Sequence, residues 1–291
     1  MKVRPFCAAC ILLTRARELE SIAGLDIEDA LAGFRTIAES TGVYLGPDIE
    51  LTLLATASFR RLKSILGNND IYASIRSKLE PLVQEAVKSI EEVFSKLEGE
   101  EKFRFAVKVA VAGNAVDPAR PQLDPYVHDA TSIQRIELKR NDILEAYPLL
   151  AKGVVKNVAY VFDNALEALY DSFLIRVLQE NGATVTGIVK SEKYEDDLTI
   201  VELKKYGLAN LLDDVIETGS DAASLLVDET DEHALKAVED ADLVIVKGPL
   251  NYLHFRNNPV KTRTYALLRV PCRFLAYELG ATLGSYVAVR V

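Results

Sequence analysis

The sequence predicts an α/β protein: a three-layer α/β/α unit with a mainly parallel central sheet, preceded by a helical N-terminal region. Three observations carry this. Apolar residues recur at helical spacing through the first hundred positions. The pattern changes near Gly99. From about residue 156 onward, short apolar strand candidates alternate with helical candidates, the signature of a parallel sheet covered on both faces. The chain therefore divides into a helical region over 1–100 and an α/β/α domain over 101–291.

The elements follow in order. Residues 7–21 carry apolar positions at helical spacing, and Leu31, Phe34 and Ile37 do the same within Ile27–Ser40. Two more helices fit 48–66 and 69–97; in the second, Ile75, Leu79, Leu82, Val83, Val87, Ile90 and Val93 form one apolar stripe. Pro81 is a kink or break point in that helix. Gly24 and Gly67-Asn68-Asn69 supply turns. Residues 101–155 are ambiguous, because Phe103–Val111 alternates like a strand yet suits a buried helix. Strands are expected at Val158–Phe162, Thr184–Val189, Asp214–Glu217, Leu243–Val246, Leu267–Leu275 and Tyr286–Val289. Helices are expected at 164–180, 199–212 and 221–239, with a poorer one after 250.

Composition narrows the function classes. The 291 residues carry 34 basic and 43 acidic side chains, a net charge of −9 that argues against wrapping a nucleic-acid backbone. No apolar run approaches the length of a membrane span. Three cysteines do not make a disulfide-stapled secreted fold. The start, with Lys2, Arg4 and apolar Phe6–Leu13, looks faintly like a leader, but Arg15, Arg17 and Glu18 follow at once and no cleavage site is evident. A cytoplasmic protein with neither nucleic-acid nor membrane partners is expected.

Ligands of open parallel sheets bind beyond the carboxyl ends of the strands, so the residues just after each strand matter most. There lie Asp163-Asn164 with Glu167 and Asp171, then Lys190-Ser191 with Glu195-Asp196-Asp197, then Thr218-Gly219-Ser220-Asp221, then Lys247-Gly248-Pro249 and Asn251. Each has a bland account. Asp163-Asn164 can cap the following helix, Asp196-Asp197 can be solvated loop charge, Thr218-Gly219-Ser220 can be a turn and cap, and Lys247 can be a surface lysine. Four such clusters at one sheet edge favour a shared site instead. Carboxylate and amide oxygens are hard ligands for Mg²⁺ or Mn²⁺. A helix opened by Gly219-Ser220 offers amides to an anion, and a lysine offers a point charge to phosphate. Metal, anion cradle and lysine together describe a phosphoryl-group site. Upstream, Gly113-Asn114-x-x-Asp117 is either a helix C-cap and turn or a contribution to the same pocket.

Other signatures are missing. The chain has neither a G-x-x-x-x-G-K-[ST] loop nor a G-x-G-x-x-G fingerprint. It lacks the G-x-S-x-G elbow. His128, His233 and His254 stand alone, and Cys7-x-x-Cys10 with distant Cys272 falls short of a four-ligand zinc set, so burial is the expectation for the cysteines.

The ordered set Cys7-x-x-Cys10, Gly113-Asn114-x-x-Asp117, Asp163-Asn164-Ala165-x-Glu167 with Asp171, the Asp197 loop, Thr218-Gly219-Ser220, Lys247-Gly248-x-x-Asn251-Tyr252, and Cys272 before Gly280 and Gly284 resembles the damage-control phosphatases, first grouped as domain of unknown function 89. The resemblance spans nearly the whole chain. It implies a helical region packed on an α/β/α domain and a divalent-metal-dependent phosphatase (Mg, Mn, Co or Ni) acting on small phosphorylated metabolites, including sugar phosphates. It implies that Asp163, Asn164 and Asp197 bind the metal. Lys247 and the backbone around Gly219 and Ser220 would hold phosphate, with Asn114, Asp117, Glu167 and Asn251 lining the pocket and Asp163, Lys247 and Glu167 taking part in catalysis. Three positions depart from the family pattern: Leu166 stands where Gly is usual, Asp196 where Asn is frequent, and Pro249 where a more polar residue is usual. Two rival functions suit the same sequence, an S-adenosylmethionine-dependent carboxyl methyltransferase and a non-catalytic sensor of phosphorylated metabolites.

Overall fold

The computed structural model describes residues 4–46, 48–120 and 123–291; Lys2, part of the leader-like start, lies outside the described residues. Four helices open the chain: α1 (Pro5–Arg17), which runs into a π-helical turn at Glu18–Ile22, then α2 (Ile27–Val43), α3 (Leu51–Leu66) and α4 (Ala73–Phe94). Asp26 caps α2 by accepting from the Asp29 amide, and Gly67 ends α3 in the left-handed region. Pro81 does not divide α4. Burial of Val83, Ala86, Ile90 and Phe94 along one face holds that helix together through the lost backbone bond.

The ambiguous stretch resolves as the buried helix α5 (Gly99–Gly113), followed by α6 (Ala130–Arg135). Next comes β1 (Leu138–Asn141), a four-residue edge strand too short and too charged to show alternation in sequence. The rest is α7 (Tyr147–Ala151), β2 (Asn157–Val161), α8 (Glu167–Glu180), β3 (Thr184–Val189), α9 (Ile200–Lys205), β4 (Asp214–Glu217), α10 (Glu232–Asp240), β5 (Leu243–Lys247), α11 (Gly248–Asn257), β6 (Arg263–Arg269), α12 (Arg273–Leu279) and β7 (Tyr286–Arg290).

The seven strands form one sheet in the order β1-β7-β6-β5-β2-β3-β4. Every pairing is parallel except β6 with β7. Alternate residues of β2 face opposite layers. Val158 and Tyr160 join the core under α5 and α8, whereas Ala159 and Val161 join the core that contains Val238 of α10, Leu253 of α11 and Leu275 of α12. A third core gathers Leu19, Ile37, Phe59, Leu62 and Tyr72 of the N-terminal helices with Ala119, Tyr194 and Leu250 of the sheet domain. The helical region is thereby packed onto the sheet. No helix among the described residues is long and apolar enough to cross a membrane.

Three expected elements need correction. The strand placed at Leu267–Leu275 is really β6 ending at Arg269, then Pro271 and α12. Apolar residues continue across the break, and the Cys272 thiol caps the new helix at the Leu275 amide. The helix expected over 221–239 forms only from Glu232, capped by Asp231. Residues 221–224 are instead drawn to other elements: Asp221 pairs with Arg60 and Lys63, the Ala223 amide donates to Thr56, and Ser224 donates to Asn251. The helix over 199–212 stops at Lys205, because Gly207 turns left-handed before a short 3-10 turn at Leu208–Asn210.

Candidate active site

Asp163 and Asn164 follow β2 where the chain leaves the sheet. Helix α8 begins three residues later without a side-chain cap, so neither residue is spent on capping. The Asn164 amide nitrogen donates to Asp163 Oδ2 at 3.2 Å and to Glu167 Oε2 at 3.1 Å. Asn114 comes from the end of α5 and donates to the same two oxygens at 3.0 and 2.9 Å, while its own oxygen accepts from the Arg269 amide. Gly113 is helical rather than a C-cap. A Cβ there would lie 2.8 Å from Tyr170, so glycine is what lets α5 approach α8 and deliver Asn114. Asp197 is brought in by a β-bridge between residues 164 and 197. The Leu198 amide also donates to the Asp163 carbonyl at 2.7 Å.

These carboxylates are deeply buried, and each feels the others. Burial first, then the charges of Glu167 and Asp197, push the Asp163 carboxyl well above the usual range. Burial likewise pushes Asp197 up, opposed mainly by Lys190, whose Nζ lies 3.7 Å from Asp197 Oδ2. Two crowded carboxylates that favour a proton are equally suited to a divalent cation, and the donor set of Asp163, Asp197 and the Asn164 oxygen is the hard-oxygen type such an ion takes. Among the described residues no group of three or more His, Cys, Asp or Glu is arranged as a ready cation site, so an ion here would draw on the asparagine and on water.

Lys247 is fully buried at the end of β5. Its ammonium donates to the Ala110 carbonyl at 2.8 Å and to Asp171, and it pairs with Glu167. It is therefore the counter-charge of a buried acidic pair. The two carboxylates hold its pKa up although burial works against it. Burial pushes Asp171 up to about 7 even with Lys247 beside it. Asn251 ties the strand ends together, donating to the Phe162 and Lys247 carbonyls and accepting from Ser224. Asp117 lines a small cleft with Asn114, Arg120, Arg269 and Pro271.

Gly219 and Ser220 do not open a helix, so the expected helix N-terminus is absent at that place. The Gly219 amide donates to Ser191 at 2.6 Å, and the Ser220 hydroxyl accepts from the Ala222 amide at 2.8 Å. The hydrogen-bond network therefore joins Asn114, Asp163, Asn164, Glu167, Asp171 and Lys247, with Asp197 and Asn251 attached to it, and leaves this turn with local partners of its own.

Several functional candidates have no sequence signal. Arg120 sits over the cleft, paired with Asp117 and 3.7 Å from Glu195. Burial disfavours its charge, but Asp117, Glu195 and Asp163 hold it protonated. The loop bearing Asp197 is clamped by the helical region. Arg15 of α1 pairs with Glu195, and Arg76 of α4 pairs with Asp196. Glu195 is the one non-glycine with positive φ among the described residues, at 48°. Burial pushes Asp196 up to about 7, with Arg76 opposing. Arg15 and Glu195 are 180 residues apart, which no local pattern reveals.

Fold and site define the class: an α/β/α protein with a buried carboxylate–asparagine cluster at the carboxyl edge of a largely parallel sheet. The damage-control phosphatase ARMT1-like domain profile matches residues 3–287, and the chain belongs to that family. Two archaeal relatives cover it almost end to end. A protein named damage-control phosphatase from Archaeoglobus fulgidus is 27% identical over 298 residues, covering 99% of each chain. One of that name from Pyrococcus horikoshii is 24% identical, covering 100% of this chain and 98% of its own. In fold, the chain is similar to the crystal structure of a Pyrococcus horikoshii protein of the domain of unknown function 89 family, with a TM-score of 0.84 at 23% identity over 100% of this chain and 99% of that one.

Proposed function

We propose that this chain is a divalent-metal-dependent phosphatase acting on small phosphate monoesters at the Asp163–Asp197 cluster. The observation that carries the proposal is the pair of buried carboxylates, Asp163 and Asp197, that both feel the charge of a guanidinium, Arg120, which Asp117 holds over the small cleft lined by Asn114. Asp163, Asn164 and Asp197 would hold the metal. When bound, such an ion supplies Lewis-acid polarisation of the phosphoryl group.

The protein's own residues do the rest. Asn114 and Asn164 fix the rotamer of Asp163 through the bonds described above. Lys247 fixes Glu167, whose second oxygen takes both asparagine amides. Arg120 offsets charge on the non-bridging oxygens, which persists through a loose transition state. Arg15 and Arg76 hold the loop that presents Asp197.

After chelator treatment, phosphate release from p-nitrophenyl phosphate is expected to need added Mg²⁺, Mn²⁺, Co²⁺ or Ni²⁺, and to fall at least about a hundredfold in Asp163→Ala. Release by the wild type without metal, or at full rate in the variant, would sink the proposal.

A further inference from the structure

The segment that carries Asp197 is held from two sides. On the sheet side, the Ala165 amide donates to the Asp196 carbonyl at 2.9 Å and the Lys190 amide to the Leu198 carbonyl at 3.0 Å. On the other side, residues 193–196, which lead into Asp197, are each tied to the helical region. Lys63 of α3 donates to the Lys193 carbonyl at 3.0 Å. Phe59 of α3 meets the Tyr194 ring edge-on, with the ring centres 5.2 Å apart. Arg15 of α1 pairs with Glu195, and Arg76 of α4 pairs with Asp196. Glu195 is held at φ 48°, a conformation that a residue with a side chain keeps where its surroundings impose it.

Arg76 reaches furthest. Its guanidinium is a planar fork, and the two arms take different partners. Nη1 donates to Asp196. Nη2 donates to Asp70, just before α4, and lies 3.6 Å from Glu202 Oε1. That Glu202 oxygen is 3.0 Å from Lys193 Nζ, and Lys193 in turn donates to the Asp197 carbonyl at 3.0 Å. Arg76 therefore bears on Asp197 by two routes, through the neighbouring side chain and through the main chain. Its own partners are Asp70, Asp196 and Glu202, not the carboxylates of Asp163 and Asp197.

We propose that Arg76 is a positioning residue for the cation: it sets the Asp197 carboxylate against Asp163, so that the helical region completes a site whose ligands all lie in the sheet domain. The proposal rests on the cation site set out above. Asp196, whose charge Arg76 matches, is thereby a strut for its neighbour and not a ligand. Charge and geometry make opposite demands on Arg76. A guanidinium near a cation site repels the ion, so by charge alone its removal would tighten binding. Where it fixes the place of Asp197, its removal weakens binding instead. The sign of the effect separates the two.

The test is calorimetric titration of Mn²⁺ into the chelator-treated full chain, for the wild type, Arg76→Gln and Arg76→Lys, with urea unfolding of each in the absence of metal. Arg76→Gln is expected to bind Mn²⁺ about ten- to a hundredfold more weakly, the usual loss when the partner of a metal ligand is removed. Arg76→Lys keeps the charge but loses the fork, and should fall between that variant and the wild type. Where Arg76→Gln fails to give a native circular-dichroism spectrum, Arg76→Lys alone decides. Binding as tight as the wild type's, or tighter, in the deciding variant would overturn the positioning role and leave the cation site standing, even with a lowered urea midpoint. No binding by the folded wild type would overturn both.

Discussion

Lys247→Met is expected to lower folding stability by about 3–5 kcal/mol, the cost of removing one partner from a buried ion pair. The ammonium has no contact with water and lies against Glu167, Asp171 and the Ala110 carbonyl. Without it, two carboxylates face each other in the core. The deficit should depend on pH. Burial pushes the Asp171 carboxyl up to about 7 in the folded protein, from about 3.9 in an unfolded chain. A raised carboxyl pKa stabilises fully below the unfolded value, and that contribution is lost as pH rises through the folded value. Losing Lys247 moves the folded value higher still. The variant should therefore be closest to the wild type near pH 5 and furthest from it near pH 8.5, by urea unfolding. Adding Glu167→Gln and Asp171→Asn should restore much of the loss. A variant as stable as the wild type at both pH values would show that Lys247 is not the counter-charge of this pair.

Gly248→Ala is expected to cut phosphatase turnover on the order of a hundredfold, the usual effect of moving a catalytic group by about 1 Å. Gly248 has φ +77°, and a Cβ there would sit 1.8 Å from Asp163 Oδ2 and 2.4 Å from its Cγ. Either the carboxylate swings away from Asn114 and Asn164, or the start of α11 shifts with Lys247 just before it. Left-handed backbone adds roughly 1–2 kcal/mol of strain in a residue with a side chain. Metal affinity should fall with turnover, while the melting transition stays cooperative. Wild-type turnover in this variant would mean that Asp163 is not held where the structure puts it.

Much of this was legible in the sequence where the signal is local. Thr184–Val189 and Asp214–Glu217 coincide with β3 and β4, because turn residues bound each short strand. Asp163, Asn164 and Lys247 are marked by position, at or just beyond the end of a buried strand, whereas Asn114 follows a stretch whose helix the sequence leaves ambiguous. The failures share a cause. Residues 221–231 carry helical spacing, but Arg60, Lys63 and Thr56 of α3 claim the polar groups of Asp221 and Ala223, and no one-dimensional pattern encodes that competition. At β6, the apolar run continues through Val270 and into α12, which hid the end of the strand. Arg15 and Arg76 carry no local signal of burial, yet they are buried against a loop more than a hundred residues away. Arg120 lies in an irregular segment where no periodicity exists to flag it.

In the proposed function, Asp163, Asn164 and Asp197 together hold one divalent cation. The direct measurement is calorimetric titration of Mn²⁺ into chelator-treated protein, for the wild type and for Asp163→Ala with Asp197→Ala. One bound Mn²⁺ is expected in the wild type and none in the double variant, with both proteins folded by circular dichroism. Undiminished Mn²⁺ binding in the double variant, or no binding by the folded wild type, would contradict it.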